Sequence, residues 1–593
     1  MSRTRIAHRP YTVHRPRRGG LLAALAALVL LAGCATVPAE SAPTAIDDNR
    51  LGQVSPDVPQ PAKDLDPLSV VRDFVHASAQ SVAQNEAARL YLDDAARASW
   101  NPTRTITIIE DIFGTNQATG PEQSADPNER VVYLRGFHVG RLDPDGAFIA
   151  SKDPYEMPMR VRKQADGQWR IVDPPNNIVV AESDFNANFV RVPLYFFVPE
   201  SNALVPDLRY VQAKPQAGLP GRVVALLLRG PSDGLNGAVR NPLGGSAALD
   251  TNVAPAADGA VEVPLTGVGG LSENDRRLIA AQVVKSLQPV VSSRIRLRSD
   301  GSPLVPAQLD WRPSDLPSYD APSAPSSELP GLVTVDGRIR SLGNGAPVPG
   351  PAGTGAYDVV SAAQSIDGKR LAVVERTEGG MRLRVGDYGR DAPVVDPSAG
   401  TFTRPSWRPA LSTTGTSGEL WTVADGTKVV RVQPNPEGRW LPQAVNANEI
   451  VALGPITALR LSRDGARVAL IAGEQLVVAS VVREADSVTL RFPRILQGGD
   501  LSGVLDVDWA SQDTLVAATN SATPVVRVPI DGLRMDKFNS SNLTPPVRAI
   551  TAAPSRSIVV ADAGGMWTAS DVGEVWRPHQ HTQGPGAEPF YPG

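Results

Sequence analysis

The chain has 593 residues, one cysteine, six histidines and a formal charge of −4 at pH 7. Removing residues 1–33 removes six arginines and no acidic residue, which takes the charge to −10. This balance argues against nucleic acid or an anionic lipid surface as the main partner. A single cysteine also excludes an internal disulfide.

The first 33 residues have the pattern of a signal peptide. All six of their arginines precede Gly19, and residues 21–31 are only Leu, Ala and Val. This run is shorter than the about 20 residues that a spanning helix needs, and it suits a cleavable h-region. Arg17-Arg18 is only a weak sign of twin-arginine export, since Gly19-Gly20 follows.

The apolar run ends in Leu31-Ala32-Gly33-Cys34, which resembles the lipobox of bacterial lipoproteins. The resemblance implies cleavage between Gly33 and Cys34. It also implies that Cys34 becomes an N-palmitoyl and S-diacylglycerol cysteine, which would anchor the protein at the extracytoplasmic face of the cell membrane. The alternative is a chance cysteine after the signal peptide of a soluble exported protein. The lack of any second thiol favours modification.

Residues 34–66 are predicted to be the lipidated cysteine and a flexible tether. They are rich in Pro, Ala, Ser and Asp and have few large apolar residues, so they bury too little surface to fold. A coil of this length averages about 30 Å from end to end.

Residues 67–185 are predicted to form an α+β domain. Apolar spacing indicates a helix from Leu68 to Val82 and a second one through Ala87 toward Trp100. Strands are predicted at 104–109 and 130–139, followed by a hairpin turning at Asp166-Gly167. This order resembles the nuclear-transport-factor superfamily, which implies a curved sheet wrapped around a helix.

Residues 188–305 are predicted to form a second α+β domain. The expected elements are a strand from Val190, a helix over 223–228, a strand over 261–265, a helix capped by Ser272, and a hairpin turning at Asp300-Gly301. The order, with the block at 227–232, resembles the GerMN domain. The resemblance brings no catalytic residue with it.

After a predicted linker at 306–330, one strand–turn–strand motif recurs six times. It begins at Leu332, Leu371, Leu420, Val468, Leu515 and Ile558. A period of about 45 residues is typical of a β-propeller. We therefore predict six blades over 331–578 and a polar tail over 579–593. Tight turns are expected at 365–368, 462–465 and 511–513; a run of unrelated hairpins would not keep such even spacing.

Few residues in the sequence suggest a catalytic, cofactor or metal site. The sequence lacks a nucleophile elbow, a P-loop, His-Glu-x-x-His and a dinucleotide-binding glycine motif, so we predict no catalytic, cofactor or metal site. His579 and His581 could hold a metal, but a solvated tail is the favoured interpretation. The other candidates, interpreted as structural, capping or solvated residues, are His76, His138, Asp93, Asp94, Glu110 and Asp111.

The lipobox, the two α+β domains and the propeller, in this order, resemble the LpqB family of actinobacterial lipoproteins along essentially the whole chain. The resemblance implies a non-enzymatic accessory partner of an MtrB-type sensor histidine kinase, acting in two-component control of the cell wall and division. The alternative is a cell-envelope ligand-binding protein or hydrolase that uses the propeller channel or the pocket of the first domain.

Overall fold

The computed structural model describes residues 58–80, 85–306, 308–317, 319–320, 324–409, 418–581 and 586–593. Gly33, Cys34 and residues 35–57 of the predicted tether lie outside this part of the chain. The described residues from Val58 to Gly593 belong to one unit. Within it, we find no helix with the length and apolar character needed to cross a membrane.

The N-terminal domain (described residues 58–188) combines four helices with a seven-stranded sheet. Its elements are α1 (Pro67–Ser78), α2 (Glu86–Arg89), α3 (Asp94–Ser99), β1 (Thr103–Ile109), β2 (Gly114–Gln117), β3 (Glu129–Leu142), β4 (Phe148–Ala150), β5 (Pro154–Lys163), β6 (Trp169–Ile171), β7 (Asn177–Ala181) and α4 (Glu182–Asn188). The strand order is β6-β5-β3-β1-β7, and β2 and β4 also pair with β3.

Helix α1 supplies the core of this domain. Asp66 accepts hydrogen bonds from the backbone N–H groups of Leu68 and Ser69, which begins the helix, and Pro67 fits its first position. The apolar face of α1, including Val71 and Phe74, packs against the sheet. The predicted helix-on-curved-sheet class is confirmed.

The prediction of a single second helix is wrong, because the chain forms α2 and α3 instead. Asp93 has extended backbone and accepts a 2.7 Å hydrogen bond from Ala96 N–H, so it caps a new helix. Leu92, just before it, bridges to Ile171 of the sheet. Val82, the end of the predicted first helix, lies outside the described residues.

The middle domain (residues 189–316) is also α+β. Its elements are β8 (Phe189–Phe197), β9 (Leu204–Gln212), α5 (Leu219–Arg229), β10 (Ala248–Leu249), β11 (Ala254–Pro255), β12 (Val261–Thr266), α6 (Glu273–Leu287), β13 (Ile295–Ser299), β14 (Ser302–Pro303) and β15 (Asp310–Trp311). Strands β8 and β9 form a hairpin, and β12 and β13 pair in parallel within a second sheet. Ser272 caps α6, as predicted, by accepting from Asp275 N–H at 3.1 Å.

The predicted linker at 306–330 begins too early. Strand β15 pairs with β13, and the Trp311 side chain is buried in the core of the middle domain. Burial of a large aromatic side chain stabilises this segment within the domain.

The propeller (described residues 332–593) has six blades, as predicted. The first blade is β38-β16-β17, and the others are β18–β21, β22–β25, β26–β29, β30–β33 and β34–β37. The bounds are β16 (Leu332–Val335), β17 (Arg338–Ser341), α7 (Pro351–Thr354), β18 (Val359–Gln364), β19 (Arg370–Thr377), β20 (Gly380–Asp387), β21 (Val394–Ala399), β22 (Ser406–Arg408), β23 (Glu419–Ala424), β24 (Lys428–Pro434), β25 (Trp440–Ala444), α8 (Asn448–Val451), β26 (Ile456–Leu461), β27 (Arg467–Ala472), β28 (Gln475–Arg483), β29 (Val488–Ile495), β30 (Val504–Trp509), β31 (Thr514–Thr519), β32 (Val525–Pro529), β33 (Asp536–Lys537), β34 (Ala549–Thr551), β35 (Ile558–Asp562), β36 (Gly565–Ala569), β37 (Arg577–Pro578) and β38 (Glu588–Phe590).

The turns predicted between neighbouring strands are present. In each of them a serine hydroxyl donates to the aspartate two residues later, at 2.5 Å from Ser365, 2.6 Å from Ser462 and 2.7 Å from Ser511. These turns join the first two strands of three blades. The six predicted repeat starts likewise fall on or next to β16, β19, β23, β27, β31 and β35.

The prediction of a polar tail over 579–593 is wrong. Strand β38 pairs with β16, with Phe590 opposite Leu332. Phe590 is buried, and Gly593 N–H donates to the backbone oxygen of Gln364 at 2.9 Å. The propeller is therefore closed by pairing of strands from its two ends, which removes an exposed sheet edge.

Candidate functional site

Each of the histidines singled out in the sequence has a different local environment. His76 on α1 contacts Asp184 at 2.6 Å, and His138 on β3 meets the ring of Tyr155 edge-on at 4.9 Å. Burial lowers the pKa of His138. His579 and His581 are neighbours, but no group of three metal-ligating side chains occurs in the described part of the chain.

The adjacent acidic residues do not converge on one point. Asp93 caps α3, and Asp94 occupies the first turn of that helix. Glu110 accepts from Lys152, whereas Asp111 accepts from the backbone N–H of Ser183 at 2.9 Å. Each of these contacts holds local structure.

A group of largely buried charges lies on and beside the innermost strands of the propeller. We call it the inner-strand cluster: Arg404, Arg460, Asp506, Asp508 and Glu588. Arg460 contacts Asp506 at 2.9 Å, and Arg404 contacts Asp508 at 3.4 Å. Arg404 also donates to the backbone oxygen of Pro589 at 2.9 Å, which ties the closing strand to the ring.

The two aspartates of the inner-strand cluster are used structurally. Asp506 accepts from Ile550 N–H at 3.0 Å, and Asp508 accepts from the hydroxyl of Thr551 at 2.9 Å. Burial raises the pKa of Glu588 to about 7, against the opposing effect of Arg404. The cluster therefore holds inner strands together, although Glu588 has the kind of pKa that acid–base chemistry uses.

The middle domain is joined to the propeller by buried polar contacts, which we call the middle seam. Arg467 of β27 donates to the backbone oxygen of Pro206 at 2.7 Å, and Tyr210 donates to Asp531 at 2.9 Å. Arg408 contacts Glu200 at 3.0 Å. Apolar side chains of both domains pack beside them.

The N-terminal domain meets the propeller at a second junction, the N-terminal seam. Leu533 inserts among aromatic side chains that include Phe148 and Phe185. Lys152 contacts Glu110 and lies 3.4 Å from Asp500 of the propeller. A cleft of about 470 Å³ runs along this seam, lined by Glu110, Lys152, Asp153, Glu182 and Asp500 among others.

One exposed apolar surface stands out on the N-terminal domain. Ile112 is 89% exposed and Phe137 is 47% exposed. Their chain segments are adjacent, because Glu110 N–H donates to the Phe137 backbone oxygen at 3.0 Å. We call these two residues and Phe113 the 112/137 patch. Contiguous exposed apolar side chains are typical of interaction sites.

Sequence patterns do not predict the inner-strand cluster or the two seams. Their partners lie far apart in the chain: Arg467 and Pro206 are separated by 261 residues.

The fold defines a class of multidomain propeller proteins with two α+β domains ahead of the propeller. Family models match each part: the "Lipoprotein LpqB, N-terminal domain" over 60–186, "Sporulation and spore germination" over 193–305 and the "Lipoprotein LpqB beta-propeller domain" over 333–592.

Similar proteins extend along the whole chain. The chain is 34% identical to Lipoprotein LpqB of Nocardia farcinica, over 97% of this chain and 98% of that protein. It is 32% identical to that of Rhodococcus opacus, over 96% and 97%, and 30% identical to that of Mycobacterium tuberculosis, over 95% and 97%. The chain belongs to the LpqB family of lipoproteins. These relatives are named as lipoproteins and not as enzymes.

Proposed function

We propose that this lipoprotein is held at the extracytoplasmic face of the cell membrane by lipid on Cys34 and acts as a non-enzymatic accessory partner of an MtrB-type sensor histidine kinase. In this role it influences two-component control of the cell wall and division. The observation that carries the proposal is family membership over 97% of the chain, with all three domains in the same order.

The 112/137 patch is the surface that we assign to the kinase. It lies on the first folded domain after the tether, so it belongs to the domain nearest to the anchor along the chain. Ile112 and Phe137 expose apolar surface to water in the unbound protein, and covering it contributes about 25 cal/mol per Å².

Anchoring both partners in one membrane favours a weak contact. A tether of about 30 Å average length confines the two proteins to a small volume, which raises their effective concentration. A modest apolar patch is then sufficient for appreciable binding. Lipidation of Cys34 is for this reason part of the mechanism.

The test is crosslinking and co-purification with the kinase from membranes, together with phosphorylation of its response regulator. We expect Ile112→Asp with Phe137→Asp to reduce crosslinking about tenfold or more. The matched control is Leu441→Asp with Val575→Asp, which changes two exposed apolar residues of the propeller. Cys34→Ala should release the protein and restore signalling only when it is overproduced.

Two results would contradict the proposal. One is equal crosslinking by the patch and control variants, which would remove the patch from the interface. The other is no association with the kinase together with unchanged phosphorylation. The second result would favour the alternative of a cell-envelope ligand-binding protein or hydrolase, for which Glu588 in the inner-strand cluster is the first residue to test.

A further inference from the structure

A small cavity lies in the middle seam, between the middle domain and the propeller. Its volume is about 40 Å³, and Asp207, Ser232, Arg467, Arg494 and Asp531 are among the residues that line it. Space of this size accommodates about two water molecules or one small ion.

Two arginine side chains line this cavity without a direct carboxylate contact, although the charge of Asp207 acts on both of them. Arg467 is buried, and its Nη1 has no hydrogen-bond partner among the described residues. Within the same part of the chain, neither Arg467 nor Arg494 has a carboxylate oxygen within 4.0 Å. Burial lowers the pKa of Arg494, since the charged form is desolvated.

Gly234 leaves space for the guanidinium group of Arg494. A Cβ built on Gly234 would lie 2.7 Å from Nη2 of Arg494, so any other residue would displace that side chain. The Ser480 hydroxyl donates to the backbone oxygen of Gly234 and fixes the loop in place.

The carboxylates of the cavity are already occupied. Asp207 accepts from Arg209 at 2.6 Å and from the backbone N–H and hydroxyl of Ser232 at 2.8 and 2.9 Å. Asp531 accepts from the hydroxyl of Tyr210 at 2.9 Å and from Leu533 N–H at 3.1 Å. The free donors around the cavity are therefore cationic.

We propose that a small inorganic anion of the chloride type binds in this cavity between Arg467 and Arg494 and fastens the middle domain to the propeller. A buried cation is costly unless it is paired, and water brings no charge to pair it. The size of the cavity suits a monatomic anion. The ligand is thus independent of the kinase proposed above.

The first test is thermal unfolding of the full chain in sodium chloride and in sodium gluconate at equal ionic strength. We expect chloride to raise the melting temperature saturably, by about 2 °C at tenfold excess over Kd. Arg494→Gln should abolish the difference between the two salts. Arg376→Gln, which changes an exposed arginine of the propeller outside the cavity lining, should retain it.

The second test keeps the inference falsifiable if Arg494→Gln folds poorly. Crystals of the unaltered protein soaked in bromide should show an anomalous peak between the guanidinium groups of Arg467 and Arg494. Equal melting in both salts, a chloride response that survives Arg494→Gln, or an empty cavity after bromide soaking would each overturn the anion site.

Discussion

The two seams hold their domains to the propeller by different means. The middle seam uses buried polar side chains: Arg467 donates to the backbone oxygen of Pro206, and Asp531 accepts from the hydroxyl of Tyr210. The N-terminal seam relies on the apolar Leu533 and on the partly exposed Lys152, and it borders a cleft of about 470 Å³. Buried polar contacts require precise geometry, whereas apolar contact tolerates adjustment.

This difference suggests that the two attachments to the propeller differ in how far they adjust when a partner binds. Separating the middle domain from the propeller would leave the buried Arg467 without its partner at Pro206, which is costly. The N-terminal domain, which carries the 112/137 patch, contacts the propeller through a partly exposed ion pair and an apolar side chain, and contacts the middle domain through Arg209 and Asp145. A partner that binds the patch therefore acts on the more adjustable of the two attachments.

The largest expected effect comes from removing the scaffold that both seams share. Deleting residues 586–593 removes β38, exposes the edge of β16 and breaks the contacts of Arg404 with the closing strand. We expect loss of the folded propeller and of both seams, measured as aggregation or a single early melting transition. A soluble truncation with unchanged melting would show that the ring does not depend on β38.

Weakening the buried ion pair beside the middle seam should have the next largest effect. Asp207→Asn leaves Arg209, which is fully buried, with only Asp145, at 3.4 Å, as a carboxylate partner, and should cost about 3 kcal/mol of unfolding free energy. Chemical denaturation measures this change. Glu273→Gln, which removes an exposed pair with Arg277, should cost less than about 1 kcal/mol; equal losses would refute the contrast.

The N-terminal seam should be more tolerant. Leu533→Ala removes a buried side chain from between Phe148 and Phe185 and should cost about 2–3 kcal/mol. Lys152→Gln, about one third exposed, should cost under about 1 kcal/mol. Hydrogen exchange should locate the loss in α4 and β4, beside Leu533. Exchange that instead rises throughout the propeller would contradict separate attachment of this domain.

The smallest expected effect is an opposite pH dependence of the two seams. Glu182 lies beside the N-terminal cleft, where burial and the nearby charge of Asp111 raise its pKa. The folded protein therefore binds this proton more tightly than the unfolded chain does. The resulting stabilisation is complete below pH 4.5 and is lost as pH rises. Burial also opposes ionisation of Asp207, but Arg209 holds its pKa below 3.8, so that contribution is lost only as pH falls further.

The comparison is made between Glu182→Gln and the unaltered protein over pH 4 to 8, in unfolding experiments with denaturant. Glu182→Gln should be the more stable form at neutral pH and should have the flatter profile above pH 4.5. Identical profiles would show that Glu182 is not coupled to folding.

The predictable part of this fold was local. The repeats starting at Leu332 and Leu371 were recognised because the second strand of each blade is an apolar run next to a tight turn, and both signals lie within a few residues. The cap at Ser272 was recognised for the same reason. Each of these features depends on neighbours in sequence.

The missed features all depend on distant partners. The sequence pattern predicts a linker at Trp311 because the strand that pairs with it, β13, is not its neighbour in the chain. It predicts a tail at residues 588–590 because their pairing partner, β16, lies at the other end of the propeller sequence. The helix predicted through Ala87 toward Trp100 is interrupted because Leu92 bridges to the sheet and Asp93 caps a new helix. Similarly, the inner-strand cluster assembles from several blades, so no short segment contains its pattern.

The pairing of β16 with β38 sets the order in which the propeller is able to fold. Five blades are built from consecutive strands and so form from short-range contacts, whereas Leu332 finds Phe590 only after the intervening blades are in place. Until that moment the strands that flank the gap present unpaired edges to other chains. We therefore expect ring closure to be the slow step of propeller folding and the interval in which aggregation competes most.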